Sequence, residues 1–288
     1  MCGISGALIK SAEFLSDEDG KQFVESLRHR GPDGKGIYRS SDNKLILGHT
    51  RLAIIDKENG AQPFIDKERK VIITFNGEIY NYVELKNILV QLGHSFTTNT
   101  DTEVIIEAYK EWGISCQDRF NGMWSFALYD NEAKKIFISR DRFGVKPLFI
   151  MANKYGLFFA SELKAFMKLP QRIRPTYNKK VISTAKEMEP RMETILENVW
   201  NIRGGHYLIH ESENENPKIK KWYSDLEKLE YKQEISYRDS IEELTDLINS
   251  SCSLRMRSDV PVALTLSGGL DSSVIAGQLS ERRNNLGD

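Results

Sequence analysis

Cysteine is scarce in this chain of 288 residues: there are three, at positions 2, 116 and 252, far apart and odd in number. With no CxxC pair among them they build neither a disulfide framework nor a cysteine zinc site, and they read as reduced thiols. The five histidines show no metal-ligand spacing. An excess of one charge is missing as well. The 40 Lys and Arg against 41 Asp and Glu give a net charge of -1, which leaves no electrostatic footprint for nucleic acid or for an anionic membrane surface. No apolar run approaches the roughly 18 residues that span a bilayer, and MCGISGALIK lacks the charged start and cleavage site of a secretory signal. These absences point to a cytoplasmic protein with neither nucleic acid nor membrane as a partner.

What remains is an ordinary globular composition, 40% hydrophobic, enough for a packed core in one large domain or two smaller ones. Up to about residue 200, short β-type runs (KLILGHT, KVIITF, MWSFALYD, KKIFIS, GLFFAS) mix with two helical stretches. YVELKNILVQLG repeats apolar residues at Val83, Leu85, Ile88, Leu89 and Leu92 and ends on Gly93, while DTEVIIEAYKEWG opens on Asp101 as its capping residue and closes on Gly113. Many short strands and few long helices predict stacked sheets with outer helices. ESENENPKIKK is polar, contains a proline and reads as a turn or linker. Beyond it, SYRDSIEELTDLINSSCSLRM sets Ile241, Leu244, Leu247, Ile248 and Leu254 on one helical face, and VPVALTLSGGLDSSVIAGQLSERR runs strand, glycine turn, helix.

In that last unit Gly268 and Gly269 follow a predicted strand carrying Val260, Val262, Leu264 and Leu266, and precede a helix with Val274, Ile275 and Leu279. Adjacent glycines let backbone N–H groups turn inward, and a helix start adds partial positive charge, which together suit an anion. Ser267, Ser272 and Ser273 add hydroxyl donors, and Asp271 is an oxygen ligand of the kind Mg²⁺ takes. The loop is not a GxxxxGK[ST] loop, because no lysine follows to reach a terminal phosphate. Release of pyrophosphate from ATP suits it better than transfer of the γ-phosphate.

Cys2 raises a different chemistry. Once Met1 is removed, a thiol and a free α-amine share one residue, a nucleophile beside a base. Their reference pKa values, about 8.5 and about 7.7 to 8.0, leave part of the amine free to take the proton near neutral pH. An amino-acid substrate would need a guanidinium such as Arg51 for its carboxylate and a carboxylate such as Asp101 or Glu78 for its ammonium. Asn76 and the backbone N–H of Gly77 can donate to the oxyanion of a tetrahedral intermediate. Taken singly, each of these residues also has a plain structural use: a solvated Arg, an Asn-Gly turn, a helix cap.

In order, MCGISG, RHRGPDG, HTRLAI, FNGEIYN, TDTE, RDRFGVKPLF and FASELKAF closely resemble the class II glutamine amidotransferases over residues 1–166. These are N-terminal-nucleophile hydrolases. The resemblance implies that Cys2 is the nucleophile, that Asn76 and Gly77 form the oxyanion hole, and that glutamine is held by Arg51, the backbone of Ile54 and Ile55, Asn76, Gly77, Glu78 and Asp101. SGGLDSS resembles the PP-loop of ATP pyrophosphatases, which implies ATP and pyrophosphate contacts at Leu266, Ser267, Gly268, Gly269, Asp271, Ser272 and Ser273, with Mg²⁺ on Asp271. Together the two halves look like the glutamine-hydrolysing asparagine synthetases over residues 1–283, with Ala263 where that family often has glycine.

The implied fold is α+β, a four-layer αββα sandwich, followed by the beginning of an α/β PP-loop domain. The expected domains are a glutaminase over 1–205, a linker or connecting strands over 206–236 and a synthetase fragment over 237–288. The implied reaction hydrolyses glutamine and channels the ammonia to aspartate adenylated by Mg-ATP, giving asparagine, AMP and pyrophosphate. The expected partners are therefore glutamine, aspartate and ATP, with a homodimer as one open option. A parallel α/β domain needs several strands, and only one follows Pro261, so the expectation is the N-terminal part of a longer synthetase. From about residue 237 onward that predicts disorder, self-association or completion by further sequence, with glutaminase alone performed here. Rival readings are an amidotransferase acting on another carboxylate, a glutaminase feeding a separate subunit, and a non-catalytic glutamine-binding scaffold.

Overall fold

The computed structural model describes residues 1–66, 68, 70–183, 192–211, 217–224 and 235–286. Twelve strands are seen: β1 (Gly3–Ile9), β2 (Gly34–Arg39), β3 (Leu45–Arg51), β4 (Phe64–Ile65), β5 (Val71–Ile79), β6 (Gly122–Asp130), β7 (Lys135–Arg140), β8 (Phe149–Asn153), β9 (Gly156–Ala160), β10 (Val199–Asn201), β11 (His206–Glu211) and β12 (Lys218–Lys221). They form two six-stranded sheets in the orders β10-β8-β9-β1-β3-β2 and β12-β11-β7-β6-β5-β4. Neighbouring strands in both sheets pair antiparallel.

Strand alternation explains the layers. On β5, Ile72 joins the cluster between the two sheets with Ile4, Leu47, Ile138 and Phe159, while Val71, Ile73 and Phe75 face outward into a second cluster with Leu85, Leu89, Val104 and Ile105. These outer partners lie on α2 (Tyr82–Gln91) and α3 (Asp101–Trp112), with the short α4 (Cys116–Arg119) beside them. The first sheet's outer face carries Ala7, Ile46 and Phe158 against Phe23 of α1 (Asp17–Glu25) and Phe166 of α5 (Leu163–Phe166). The order is helix, sheet, sheet, helix, as the resemblance implies. Strand β1 is buried along its whole length because it has packing on both faces. Cys116 is fully buried among the α3 residues and serves packing.

Local signals start the helices. Ser16 and Asp19 form a reciprocal capping box at α1. At α3 the cap is Thr100, whose hydroxyl accepts from Glu103 N at 3.1 Å. Asp101 is therefore the first helical residue and not the cap, which frees its carboxylate for another use.

Three expectations need correction. The first compact unit runs from Met1 to Ser224, past the boundary expected at 205: β11 and β12 extend the second sheet, and Leu208 pairs with Ile219. The stretch KIKK, read as linker, is strand because β11 offers it a free edge; residues 212–216 lie outside the described residues. The strand expected over 260–266 is absent, since no described strand stands beside it to take its backbone hydrogen bonds. Its Val262, Leu264 and Leu266 are exposed.

The second unit, Asp225–Asp288, is described by itself. It holds α7 (Tyr237–Arg255), capped by Ser236 on Asp239 N, and α8 (Leu270–Leu286); α6 (Lys179–Ser183) belongs to the first unit. The predicted helical face of α7 exposes Ile241, Leu244 and Leu247. Among the described residues no helix is long and apolar enough to cross a membrane.

Candidate active site

The residues singled out around Cys2 converge. A cavity of about 210 Å³ is lined by Cys2, Arg51, Ile54, Ile55, Asn76, Gly77, Glu78 and Asp101. That volume lies below the range of about 300–1,000 Å³ typical of drug-sized ligands and suits a single amino acid.

Cys2 is held from two sides. Its Sγ donates to Leu52 O at 3.5 Å and accepts from Leu52 N at 3.3 Å, and Arg30 Nε donates to Cys2 O at 2.9 Å. Arg30 is itself fixed by Glu162, Nη1 to Oε1 at 2.9 Å. Burial pushes the Cys2 thiol up; the Leu52 hydrogen bond and the nearby amino terminus and Arg51 pull the other way. Burial lowers the Met1 amine. A half-buried thiol raised by desolvation holds its proton and needs a base to take it before it can attack.

Strands β5 and β6 build the floor. Phe75 N donates to Gln62 Oε1 at 2.7 Å and Ile79 N to Asp101 Oδ2 at 3.0 Å. Backbone groups alternate sides along a strand, so Gly77, midway between, points its N–H to that same cavity-facing edge. A Cβ on Gly77 would lie 2.2 Å from Met123 O and 2.8 Å from Trp124 Cα, so only glycine fits. The adjacent Asn76 is buried, and its Nδ2 has no hydrogen-bond partner among the described residues. An unsatisfied buried amide beside an inward backbone N–H is a pair of donors awaiting an acceptor.

At the other end Arg51 donates to the carbonyls of Ile55 (3.2 Å), Asp56 (2.7 Å) and Lys57 (2.7 Å). Three of the five guanidinium N–H groups are then used, leaving two for a ligand carboxylate. Of the Ile55 backbone, expected as a glutamine contact, the carbonyl accepts from Arg51. Burial raises Asp101 to about 7, partly offset by the Ile79 hydrogen bond and reinforced by Glu78. Burial also pushes Glu78 up, with Lys146 opposing it. The acid pair faces the basic pair of Arg51 and Lys146 across a small space, which suits a zwitterion.

His49 and His29 take no part in this. His49 lies between the sheets with Nδ1 3.2 Å from Thr74 Oγ1, and burial lowers it to about 3. His29 pairs with Glu162 at 3.0 Å on the surface.

The loop at 267–273 is a separate feature in the second unit. Ser267 and Ser272 hydroxyls are 3.0 Å apart, and Ser272 and Ser273 both donate to Gly269 O, at 3.0 and 2.9 Å. Gly268 has φ +81°, which favours glycine. All three hydroxyls therefore bond within the loop, and Leu266 and Leu270 are exposed. Among the described residues no group of three His, Cys, Asp or Glu stands together to hold a metal. Mg²⁺ is commonly held by one or two carboxylates together with nucleotide phosphates, so the single carboxylate of Asp271 is compatible with the ion, and no step is derived through it.

The sequence profile described as the glutamine amidotransferase domain matches residues 1–223. The chain belongs to the glutamine amidotransferase family. A second profile, asparagine synthase, matches residues 243–286. A glutamine-hydrolysing asparagine synthetase of Bacillus subtilis is 35% identical over 99% of this chain and 39% of its own length. A Methanocaldococcus jannaschii protein named for the same activity is 36% identical over 98% of this chain and 57% of its own length. The chain thus spans about half the length of the curated relatives it matches. The glutamine phosphoribosylpyrophosphate amidotransferase of Bacillus subtilis has the same fold, with TM-score 0.59 at 18% identity over 97% of this chain and 64% of that one.

For this amidotransferase, reasoning from the sequence passed over Lys146, Gln62, Gly60 and Thr102, all of which line the cavity. A signal for the first was present: a lysine inside the apolar run FGVKPLF, where a solvated residue has no reason to stand. Gly60 carried none. A Cβ there would meet Arg51 Nη2 at 2.1 Å, a contact only the folded loop reveals.

Proposed function

We propose that this chain hydrolyses the side-chain amide of glutamine at Cys2. The observation that carries the reading is the cavity itself, where a half-buried thiol, two inward donors and two opposite charge pairs share about 210 Å³. After removal of Met1, the Cys2 amine takes the thiol proton and the sulfur attacks the amide carbon. Asn76 Nδ2 and Gly77 N–H hold the oxyanion, and the protonated amine gives its proton to the departing ammonia. Water then cleaves the thioester to glutamate and restores the thiol. Arg51 receives the α-carboxylate, and Asp101 with Glu78 receives the α-ammonium.

In the longer relatives' setting the ammonia is used to convert aspartate, adenylated by ATP at the loop of residues 266–273, to asparagine with AMP and pyrophosphate. The asparagine synthase match and the relatives' names support this half. A second acceptor chemistry is favoured by one relative, an amidase of Gibberella zeae that is 34% identical over 97% of this chain.

The test supplies glutamine with and without aspartate and Mg-ATP, and follows glutamate, pyrophosphate and asparagine separately. Glutamate release that disappears in Cys2→Ala and in protein retaining Met1 supports the reading; full turnover with Met1 retained overturns the role of the amine.

A further inference from the structure

The turn that follows β7 is built around one side chain. Asp141 Oδ1 accepts from Phe143 N at 3.1 Å and Val145 N at 2.9 Å, while Oδ2 accepts from Lys146 N at 3.0 Å and from Trp124 N of β6 at 3.2 Å. Arg140 Nε then donates to Lys146 O at 2.6 Å. Both backbone groups of Lys146 are therefore fixed by buried charged side chains. The outcome is a division of directions: Phe143 and Val145 are 72% and 56% exposed, whereas Lys146 is 6% exposed and enters the wall of the Cys2 cavity.

No hydrogen bond or ion pair is made by the Lys146 ammonium among the described residues, although Glu78 lines the same cavity. A cation on a mostly buried stem is costly unless anionic groups face it. A lysine stem serving only to fill space would be matched by methionine at no such cost. The charge facing it belongs to Glu78 on β5, Cys2, Arg30 and Asp141. Cys2 in turn faces the amino terminus, Arg51 of β3 and Asp101 of α3. Arg51 spends three donors on carbonyls and Arg30 is paired to Glu162, so Lys146 is the cation in this wall whose charge is least committed.

We propose that Lys146 is a positioning residue of the hydrolytic site, its ammonium setting the charge of the Cys2 sulfur and of the developing γ-carboxylate product across the cavity. This rests on the glutaminase reading. The chemistry is consistent with the sequence of events: negative charge appears at sulfur on loss of its proton, at the oxyanion on attack, and on the γ-carboxylate at release. An unspent cation nearby opposes each without needing to move. Glu78 keeps the ammonium from drawing the sulfur into a permanent ion pair, because it offers a second acceptor at the same wall. Burial lowers the Lys146 ammonium while Glu78 and Cys2 raise it, which places its charge under the control of these two groups.

The test reads the sulfur directly. Full-length chain is alkylated with iodoacetamide from pH 5 to 10, and the Cys2 peptide is quantified by mass spectrometry for wild type, Lys146→Met, Lys146→Gln and Lys146→Arg. Methionine keeps the stem's shape and tests charge alone; glutamine serves if methionine does not fold, with circular dichroism as the check. The expected result is an alkylation midpoint about one pH unit higher in Lys146→Met and Lys146→Gln, a tenfold loss of reactive sulfur at fixed pH, with return toward wild type in Lys146→Arg. KM for glutamine is expected to change less than kcat. An unmoved midpoint in both neutral variants overturns the proposal. Failure of the underlying reading looks different: wild type would release no ammonia from glutamine, whatever the alkylation midpoints show.

Discussion

Asp101 gives the sharpest expected pH effect. Burial lifts its carboxyl to about 7, against about 3.9 in an unfolded chain. Between about pH 4 and 7 the folded protein keeps a proton that the unfolded chain has lost, so the native state binds more protons and stability falls as pH rises through that window. A difference of about three pKa units corresponds to about 4 kcal/mol lost by pH 8, an upper figure for this site. Asp101→Asn removes the titration while keeping an oxygen for the Ile79 N–H that Asp101 accepts at 3.0 Å. Urea denaturation of both proteins at pH 5 and pH 8 isolates the site and its coupling to Glu78, because titrating groups that do not interact with Asp101 cancel in the difference. The stability gap should move in favour of Asp101→Asn by about 2 to 3 kcal/mol between those pH values. A gap that stays constant across the range would refute the assignment of a raised carboxyl. The functional counterpart has the opposite sign. An ammonium needs the ionised form, so the wild-type KM for glutamine should rise about tenfold per unit below pH 7, and that dependence should vanish in Asp101→Asn along with tight binding.

Three further outcomes can be checked. Gly77→Ala forces a Cβ within 2.2 Å of Met123 O; displacement of its N–H should lower kcat for glutamine hydrolysis by about a hundred- to a thousandfold, measured as ammonia release, with about 1 to 3 kcal/mol lost in urea unfolding. Thr100→Ala removes the hydroxyl that accepts from Glu103 N at 3.1 Å and should cost about 1 kcal/mol of stability without moving the Cys2 alkylation midpoint. Burial pushes the Glu162 carboxyl up, yet hydrogen bonds from Arg30, His29 and Lys164 outweigh it and hold it down to about 2. Its contribution is present above about pH 4.3 and disappears as pH falls through about 2, so Glu162→Gln should flatten the acid limb of the stability profile while lowering kcat through the loosened Arg30 bond to Cys2 O.

The first unit was readable from the chain because its determinants are local. Period-two runs such as KVIITF and KKIFIS became β5 and β7, and YVELKNILVQLG became α2, since each segment presents a face that its neighbours cover. The cavity residues were readable by their types: a leading thiol, an Asn-Gly pair and flanking charges converge at the ends of β3 and β5. What escaped notice depends on three-dimensional placement. Thr100 and Asp101 are both good caps, and only the distance from Asp101 Oδ2 to Ile79 N decides that the aspartate turns inward. Lys146 is one lysine among many in the sequence, and only the Asp141 knot sets it in the wall of the Cys2 cavity.

The second unit shows the other side of that rule. Helix α8 needs only its own residues and forms, with Gly268 making the turn at φ +81°. A strand needs a partner for its N–H and C=O groups at every second residue, and alternation in VPVALTL cannot supply one. The segment 260–266 therefore has a strand's pattern without a strand's hydrogen bonds, and the serine hydroxyls of the loop turn to Gly269 O. An anion cradle depends on a strand holding the loop open from behind, so the motif names the chemistry while the sheet has to create the site. The Cys2 cavity differs in this respect: the strands that frame it all lie within the first unit, where β1 pairs with β3 in one sheet and β5 with β6 in the other. The proposed glutamine hydrolysis does not depend on the loop of the second unit, and substitutions there such as Asp271→Ala should leave ammonia release from glutamine unchanged.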